Sequence, residues 1–189
     1  MSFPQIDRNA VAELTTTQMI DVDRAMIEDC GIAPIQMMEN AGRALAIVAR
    51  DTFRGRHATG KTVVVLAGFG GTGGGAIAVA RRLAAWGADV TVGLTRAPER
   101  QAGVPARQMA ILMAMGVPVR VADPETGTAD GVLDGVIGTS LSGAPSGLAE
   151  DLIRWANGQS APVLALDAPS GLASTTGTAF APASRLKRP

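Results

Sequence analysis

Apolar side chains alternate along the chain between short β-branched runs and longer stripes at helical spacing. The first pattern is typical of buried strands and the second of amphipathic helices. Strands are predicted at 62–67, 89–94, 117–121, 131–137 and 162–166. Helices are predicted at about 15–30, 34–53, 76–86, 104–115 and 148–156. Because strands and helices alternate, the sequence predicts a single α/β domain, a three-layer αβα, doubly wound, mostly parallel sheet of the Rossmann-like class.

The first predicted strand runs directly into a glycine loop, residues 68–75, in which six of the eight residues are glycine. Glycines before a helix N-terminus let a phosphate approach unpaired backbone N–H groups. Gly68, Gly70 and Gly73 satisfy the spacing G-x-G-x-x-G, but no carboxylate closes a second strand about 20 residues later. No Lys-Ser/Thr pair follows, which excludes a P-loop. A tight crossover would explain one or two of these glycines but not six.

Two further polar loops, 138–145 and 167–172, follow predicted strands. The carboxyl ends of parallel strands meet at one edge of a sheet, where ligands bind. Asp134 lies inside an apolar strand and Asp167 closes another, and a buried acid is costly unless donors or a cation compensate it. The alternatives are an Asp134 hydrogen-bonded to a neighbouring loop and an Asp167 in a simple Asx turn. Oxygen ligands at such a site suit a hard cation.

The composition argues against nucleic-acid-binding, membrane and disulfide-linked proteins. Lys plus Arg and Asp plus Glu both number 17 in 189 residues, so no net charge attracts nucleic acid or an anionic membrane. The single cysteine, Cys30, excludes an internal disulfide and is expected to pack in the core. No apolar run is long enough to span a membrane, so a cytoplasmic protein is expected. His57, the only histidine, is expected at the surface.

From residue 14 to 177 the chain resembles the YjeF N-terminal domain family, whose enzymatic members are NAD(P)H-hydrate epimerases. The resemblance implies one domain over 1–189, with an arm at 1–14, a core at about 15–177 and a short irregular tail at 178–189. Five motifs carry it in order: Gln18 with Asp21 and Asp23, Met38 to Gly42, the glycine loop with Ala80 to Leu83, Asp134 to Thr139, and Asp167 to Leu172.

The resemblance implies an isomerase of nicotinamide nucleotide repair, which interconverts the R and S forms of hydrated NADH and NADPH. It implies Asp167 as the catalytic acid/base and a potassium ion as cofactor, held by Thr72, Asp134 and Ser170. The implied substrate-binding residues are Gly70, Gly71, Thr72, Gly73, Gly74, Gly75, Gly138, Thr139, Ser140, Leu141 and Asp167. A homodimer could form through the two leading helices.

The glycine loop departs from the family pattern Gly-x-Gly-Asn-Asn-Gly-Gly-Asp-Gly. Gly71 and Thr72 stand at the two Asn positions, Gly75 at the Asp position and Ala76 at the last Gly. The family also continues past residue 177 with several strands. A catalytically silent nucleotide-binding or protein-interaction module is therefore an alternative, because a fold does not carry a function by itself. An oxidoreductase domain is a third reading, disfavoured by the missing ribose-binding acid.

Overall fold

A computed structural model describes residue 7 and residues 12–53, 55–122 and 128–186. Five strands form one sheet in the order β3-β2-β1-β4-β5, and every neighbouring pair is parallel. The strands are β1 (Thr62–Ala67), β2 (Asp89–Leu94), β3 (Val119–Val121), β4 (Gly131–Gly135) and β5 (Val163–Ala165). The helices are α1 (Thr16–Glu28), α2 (Pro34–Thr52), α3 (Gly71–Ala85), α4 (Gly103–Ala114) and α5 (Leu148–Gly158). The predicted α/β class is confirmed.

Successive side chains of β1 point to opposite faces of the sheet, so the core has two layers, one on each face. Val63 and Val65 face one side of the sheet, where α2, α3 and α4 pack. Val64 and Leu66 face the other side and pack against α5. All four are fully buried, and each contributes about 1.5–3 kcal/mol relative to an exposed side chain. The two layers of helices enclose the sheet and leave only its strand ends free for a site.

The first two helices begin as the sequence predicts. Thr15 caps α1, where its hydroxyl accepts from the Gln18 N–H at 3.3 Å and the Gln18 side chain accepts from the Thr15 N–H at 2.9 Å. This reciprocal pair is a capping box, which satisfies two otherwise unpaired donors. Pro34 starts α2, where its missing N–H costs nothing. Unlike α2, α1 contributes no buried residue, so its apolar stripe is not part of the core.

The start of α3 differs from the prediction. The helix begins at Gly71, five residues before the predicted start at Ala76, so most of the glycine loop is its first turns. Glycine has a low helix propensity, which is why the sequence pattern indicates a loop. Close packing outweighs that propensity here, because a Cβ on Gly73 would overlap the backbone of Gly68. The glycines are therefore required at least as much for the close approach of neighbouring backbone segments as for their conformational freedom.

Several smaller predictions were wrong. Three strands are shorter than predicted: β3 begins two residues later, β4 ends two residues earlier, and β5 is one residue shorter at each end. Met113 is exposed although Met109 and Leu112 of the same stripe are buried, and Cys30 is exposed rather than packed. His57 lies at the surface as predicted. The predicted loop at 123–127, most of the arm and the last three residues lie outside the described residues.

The end of the chain packs beside the strand ends. The Ser184 N–H donates to the Ser170 carbonyl at 2.7 Å, and the Phe180 N–H donates to the Gly171 carbonyl at 2.9 Å. The Asn157 side chain of α5 donates to the Ala183 carbonyl at 2.9 Å. Apart from one isolated bridge between Leu172 and Ala179, the described part of the tail is irregular. These contacts hold the loop after β5 in place.

Candidate functional site

The ends of β4 and β5 are joined by a hydrogen-bonded pair, Asp134 and Ser170. The Ser170 hydroxyl donates to Asp134 Oδ1 at 2.6 Å, and the Ser170 N–H donates to Asp134 Oδ2 at 2.9 Å. The Val136 N–H also donates to Oδ1 at 3.2 Å. The Ser170 hydroxyl in turn accepts from the Ile137 N–H at 2.8 Å. Two loops that are 33 to 36 residues apart in sequence are thus held at one point.

Asp134 is buried without a cationic partner. Its exposed fraction is 1%, and that of Ser170 is 0%. Three donors satisfy three of its acceptor positions, but no Lys, Arg or His in the described ranges forms an ion pair with it. A buried ion normally requires both hydrogen bonds and a compensating charge. A cation bound nearby would therefore compensate the negative charge of Asp134.

Two adjacent cavities open at these strand ends. The first, called here the strand-end cavity, has a volume of about 640 Å³ and lies between α1 and α2 on one side and the loops after β1, β4 and β5 on the other. The second, called the glycine-loop cavity, has a volume of about 370 Å³ and lies between residues 69–73 and 136–146. Gly71, Thr72 and Ser140 line both cavities. An elongated ligand could therefore occupy both at once.

The N-terminus of α3 lies where the two cavities meet. Gly70 is the N-cap, and the first intrahelical bond runs from the Gly74 N–H to the Gly70 carbonyl at 3.0 Å. The N–H groups of Gly71, Thr72 and Gly73 have no acceptor within the helix, and the helix dipole places partial positive charge there. A Cβ at Gly70 or Gly71 would meet no protein atom within 4 Å. This open backbone is suited to a phosphate group.

Asp167 lies at the wall of the strand-end cavity in a strained conformation. Its φ is +70°, in the left-handed region that few non-glycine residues adopt. The residue is exposed, and within the described ranges its carboxylate has no hydrogen-bond or ion-pair partner. Strain of this kind costs on the order of 1–3 kcal/mol and is concentrated at functional sites. The backbone thus holds an unpaired carboxylate toward the cavity.

The structure brings most of the predicted site residues to the two cavities. Gly71, Thr72, Gly75, Thr139, Ser140 and Asp167 line the strand-end cavity. Gly70, Gly71, Thr72, Gly73, Gly138, Ser140 and Leu141 line the glycine-loop cavity. Gly74 lines neither and instead faces Met38 and Pro105. Of the predicted cation ligands, Thr72 lies in the first turn of α3 with its side chain against Gly138, whereas Asp134 and Ser170 are buried together and line neither cavity.

A polar cluster behind the site fastens α2 to α3. Glu39 forms ion pairs with Arg81 and Arg82, the latter at 2.8 Å, and accepts a hydrogen bond from the fully buried Gln108 of α4 at 2.9 Å. Burial tends to raise the Glu39 pKa, but the hydrogen bonds from Gln108 and Arg82 and the charges of Arg81 and Arg82 outweigh it, so the pKa lies below its ordinary 4.5. Glu39 is therefore paired with two arginines and a glutamine of neighbouring helices and is not a solvated surface residue.

Sequence reasoning missed the second wall of the strand-end cavity. Met37, Met38, Ala41 and Leu45 of α2 line it, although their spacing indicates only a helix face directed to the core. The carboxylate of Asp23 in α1 also lines it. Among the described residues that line either cavity, Asp23 and Asp167 are the only charged side chains. Helical spacing reveals such a face but cannot distinguish a cavity wall from a packed core.

Comparisons with known proteins find one matching family and several similar enzymes. The family described as YjeF-related protein N-terminus matches residues 34–185. An NAD(P)H-hydrate epimerase from Dehalogenimonas lykanthroporepellens is 41% identical over 180 residues, which cover 94% of this chain and 72% of that protein. The bifunctional NAD(P)H-hydrate repair enzyme Nnr of Hyperthermus butylicus is 37% identical over 87% of this chain, which spans only 31% of that protein.

A solved structure agrees with these relatives on the fold. The crystal structure of yeast ynu0 superposes with a TM-score of 0.73 at 22% identity, covering 92% of this chain and 77% of that one. The chain is thus an α/β protein with two adjacent cavities at its strand ends. It belongs to the family of YjeF-related N-terminal domains. Of the helices that the structure describes, none combines the length and apolar character needed to cross a bilayer.

Proposed function

We propose that this chain interconverts the R and S epimers of hydrated NADH and NADPH, as an isomerase of nicotinamide nucleotide repair. The observation that carries the proposal is the position of Asp167, an unpaired carboxylate in a strained backbone, at a cavity that continues to an open helix N-terminus. The relative with 41% identity is named for this activity. Cavities of this size accommodate small-molecule ligands.

In this proposal each end of the substrate has its own partner. The N–H groups at the start of α3 bind the pyrophosphate, because they are unpaired and lie at the positive end of the helix dipole. The hydrated ring enters the strand-end cavity, whose largely apolar α2 wall excludes water. There Asp167 transfers a proton to or from the hydroxyl on the ring carbon. Loops 69–73 and 138–141 set the position of the nucleotide between these two ends.

We propose a potassium ion as the cofactor, held near the β4 and β5 ends. Asp134, Ser170 and Thr72 offer carboxylate and hydroxyl oxygens, the ligand type that hard cations prefer. The described residues contain no group of three His, Cys, Asp or Glu side chains that could hold a metal ion, which favours a weakly charged site over a transition-metal site. When bound, potassium would supply positive charge that offsets the buried Asp134 and the ligand phosphates.

One observation favours the catalytically silent alternative. Gly71 and Gly75 both line the strand-end cavity but carry no side chain to orient a ligand. Binding would then rest on backbone N–H groups alone, and catalysis would rest on Asp167 with few supporting contacts. A nucleotide-binding module that has lost its chemistry would keep the helix N-terminus and the packing glycines. The two functions therefore differ in turnover rather than in binding.

The test is to supply one purified epimer of hydrated NADPH and follow the appearance of the other by chromatography. The proposal expects a rate proportional to enzyme concentration and above that of buffer alone. Nucleotide binding without turnover would select the silent module, and oxidation or reduction of intact NADH would select an oxidoreductase.

The potassium proposal needs its own measurement. Rates are compared in potassium, sodium and tetramethylammonium chloride at equal ionic strength, and thermal stability is recorded in the same three salts. We expect potassium to raise both the rate and the unfolding temperature. The variant Thr72→Val, which keeps the shape but removes the hydroxyl, should require more potassium than the control Thr128→Val, at an exposed position that lines neither cavity. Equal rates and equal unfolding temperatures in the three salts would contradict the potassium proposal.

The assembly state is also a proposal. Met19, Ile20, Val22 and Ile27 of α1 are all more than one third exposed, which is unusual for four apolar residues on one helix. We propose that a second copy of this chain covers part of α1. Sedimentation velocity should give the mass of a dimer, and Ile20→Asp should shift it toward the monomer. A monomer at micromolar concentration would contradict the proposal.

A further inference from the structure

Asp23 is, with Asp167, one of the two charged residues among the described residues that line the strand-end cavity. It lies in α1, is partly buried in a helix that has no fully buried residue, and lines the cavity together with Ile27. Residues four apart share one helix face, so a single face of α1 carries both side chains to the cavity. Within the described ranges Asp23 has no ion-pair or hydrogen-bond partner, so no structural contact accounts for it.

The two acids reach the cavity from different elements. Asp167 belongs to the loop after β5, whereas Asp23 belongs to the helix that covers the cavity. The N-terminus of α1 is tied to the segment after Asp167, because the Thr16 N–H donates to the Thr175 hydroxyl at 3.0 Å and the Thr175 hydroxyl donates to that of Thr16 at 2.8 Å. These contacts fix the start of α1 beside the β5 loop, and the helix then runs over the cavity toward α2.

We propose that Asp23 is the second acid/base residue of the epimerase, acting on the face of the ring opposite Asp167. The inference rests on the proposed function, because it concerns the chemistry of that reaction. Inversion at a carbon that carries a hydroxyl needs one group to protonate the departing oxygen and another to deprotonate the arriving water. Two carboxyl groups on opposite faces with space for water perform the same task in inverting glycosidases.

The step balances without another reactant. The carboxylic acid on one face donates a proton to the hydroxyl, and the C–O bond breaks as the adjacent ring nitrogen supplies its electron pair, which gives water and an iminium ion. A water on the other face forms the new C–O bond and gives its proton to the second carboxylate. The nitrogen recovers its electron pair. One proton is delivered and one is accepted, so the two acids exchange roles and the enzyme is ready for the reverse reaction.

The chain provides a matched control for this proposal. Asp21 lies two residues from Asp23 on the same helix, is exposed and does not line the cavity. Asp23→Asn and Asp21→Asn therefore remove the same charge from the same helix. We expect Asp23→Asn to lower kcat at least 100-fold, within the range for loss of one acid or base, with KM changed less than about threefold. Asp21→Asn should stay within twofold of the wild type in both constants.

The outcomes separate the two proposals. If the wild type and both variants epimerise equally, Asp23 has no role although the proposed function stands. If the wild type itself does not accelerate epimerisation, the proposed function and the role of Asp23 both fail. A loss confined to KM would also overturn the inference, because it would make Asp23 a binding residue. A second measurement uses water enriched in ¹⁸O, where the product epimer should carry the heavy oxygen; retention of the original oxygen would contradict the two-face exchange.

Discussion

Ser170 and Asp134 are linked by two hydrogen bonds, at 2.6 Å through the serine hydroxyl and at 2.9 Å through its backbone N–H. The pair connects the end of β5 to β4 and is fully enclosed. Since the Ile137 N–H also donates to the same hydroxyl, one serine side chain supports both loops of the candidate site. Loss of this contact would disturb the fold and the site together.

Ser170→Ala should therefore destabilise the protein. The substitution leaves a buried carboxylate with one donor fewer and the Ile137 N–H without an acceptor, and a buried polar group without a partner costs about 1–3 kcal/mol. We expect a loss of about 3 kcal/mol in the free energy of unfolding, the upper end of that range, measured by urea denaturation. Ser174→Ala, at an exposed position in the same segment, should have almost no effect. Equal stability of the two variants would contradict this role for Ser170.

The cluster around Glu39 predicts a dependence of stability on pH. Because the Glu39 pKa is lower in the folded protein than its ordinary 4.5, the ionised carboxylate stabilises the fold above that pH. This contribution is lost as the pH falls below 4.5 and through the folded pKa. Glu39→Gln should lower the unfolding free energy at pH 7 by about 2 kcal/mol, within the range for hydrogen bonds to a charged group, because the pairs with Arg81 and Arg82 are only partly buried.

The difference between the wild type and Glu39→Gln should shrink in acid. Urea denaturation at pH 7 and at several values below 4.5 measures it. Glu28→Gln, which breaks the exposed pair with Arg24, is the control and should change stability by less than about 1 kcal/mol. A difference that stays constant with pH would show that Glu39 is not stabilised as an ion.

Gly42 marks the closest approach of α2 to α3. A Cβ there would lie 2.7 Å from the Ala78 Cβ and 3.0 Å from the Gly75 carbonyl oxygen. Gly42→Ala should gain about 1 kcal/mol of helix propensity but lose more through overpacking, for a net loss of about 2 kcal/mol. Gly158→Ala, at the end of α5 with nothing near its Cβ position, should be neutral or slightly stabilising. Chemical denaturation of the two variants provides the comparison.

Gly71 predicts the opposite behaviour. A Cβ there meets no protein atom within 4 Å, yet the residue lines both cavities. Gly71→Ala should fold normally and obstruct the ligand, raising KM about tenfold, which corresponds to about 1.4 kcal/mol of binding free energy. Thermal unfolding checks the fold, and steady-state kinetics checks the site. An unchanged KM would contradict ligand binding at the start of α3.

The sequence predicts the strands and helices of this fold better than the contacts of its candidate site. Short apolar β-branched runs identify the strands, and apolar residues at helical spacing identify the helices, because both signals are local. The start of α3 at Gly71 is not predictable in this way, since tertiary packing outweighs the poor helix propensity of glycine there. The contacts of Glu39 are not predictable from local patterns either, because its partners are 42 to 69 residues away in sequence.

The sequence predicts polar residues at strand ends, one of which, Asp167, lines the strand-end cavity, but it does not predict the helical wall of that cavity. Asp134, Asp167 and Ser170 are polar residues at strand ends, where parallel sheets place their ligands. Asp23 lies in a helix whose position over the cavity depends on a contact to Thr175 far along the chain. A charged residue on an amphipathic helix ordinarily indicates a solvated face, and only the fold shows that this face lines a cavity.

The central claim is that Asp167 performs the proton transfer of epimerisation, and the variant Asp167→Asn tests it most directly. Asparagine matches the shape of aspartate and tolerates the left-handed backbone at φ +70°, so the fold should be retained. With a single epimer of hydrated NADPH as substrate, kcat should fall by about 10²- to 10⁴-fold while KM changes little. A variant that epimerises at the wild-type rate would contradict the account.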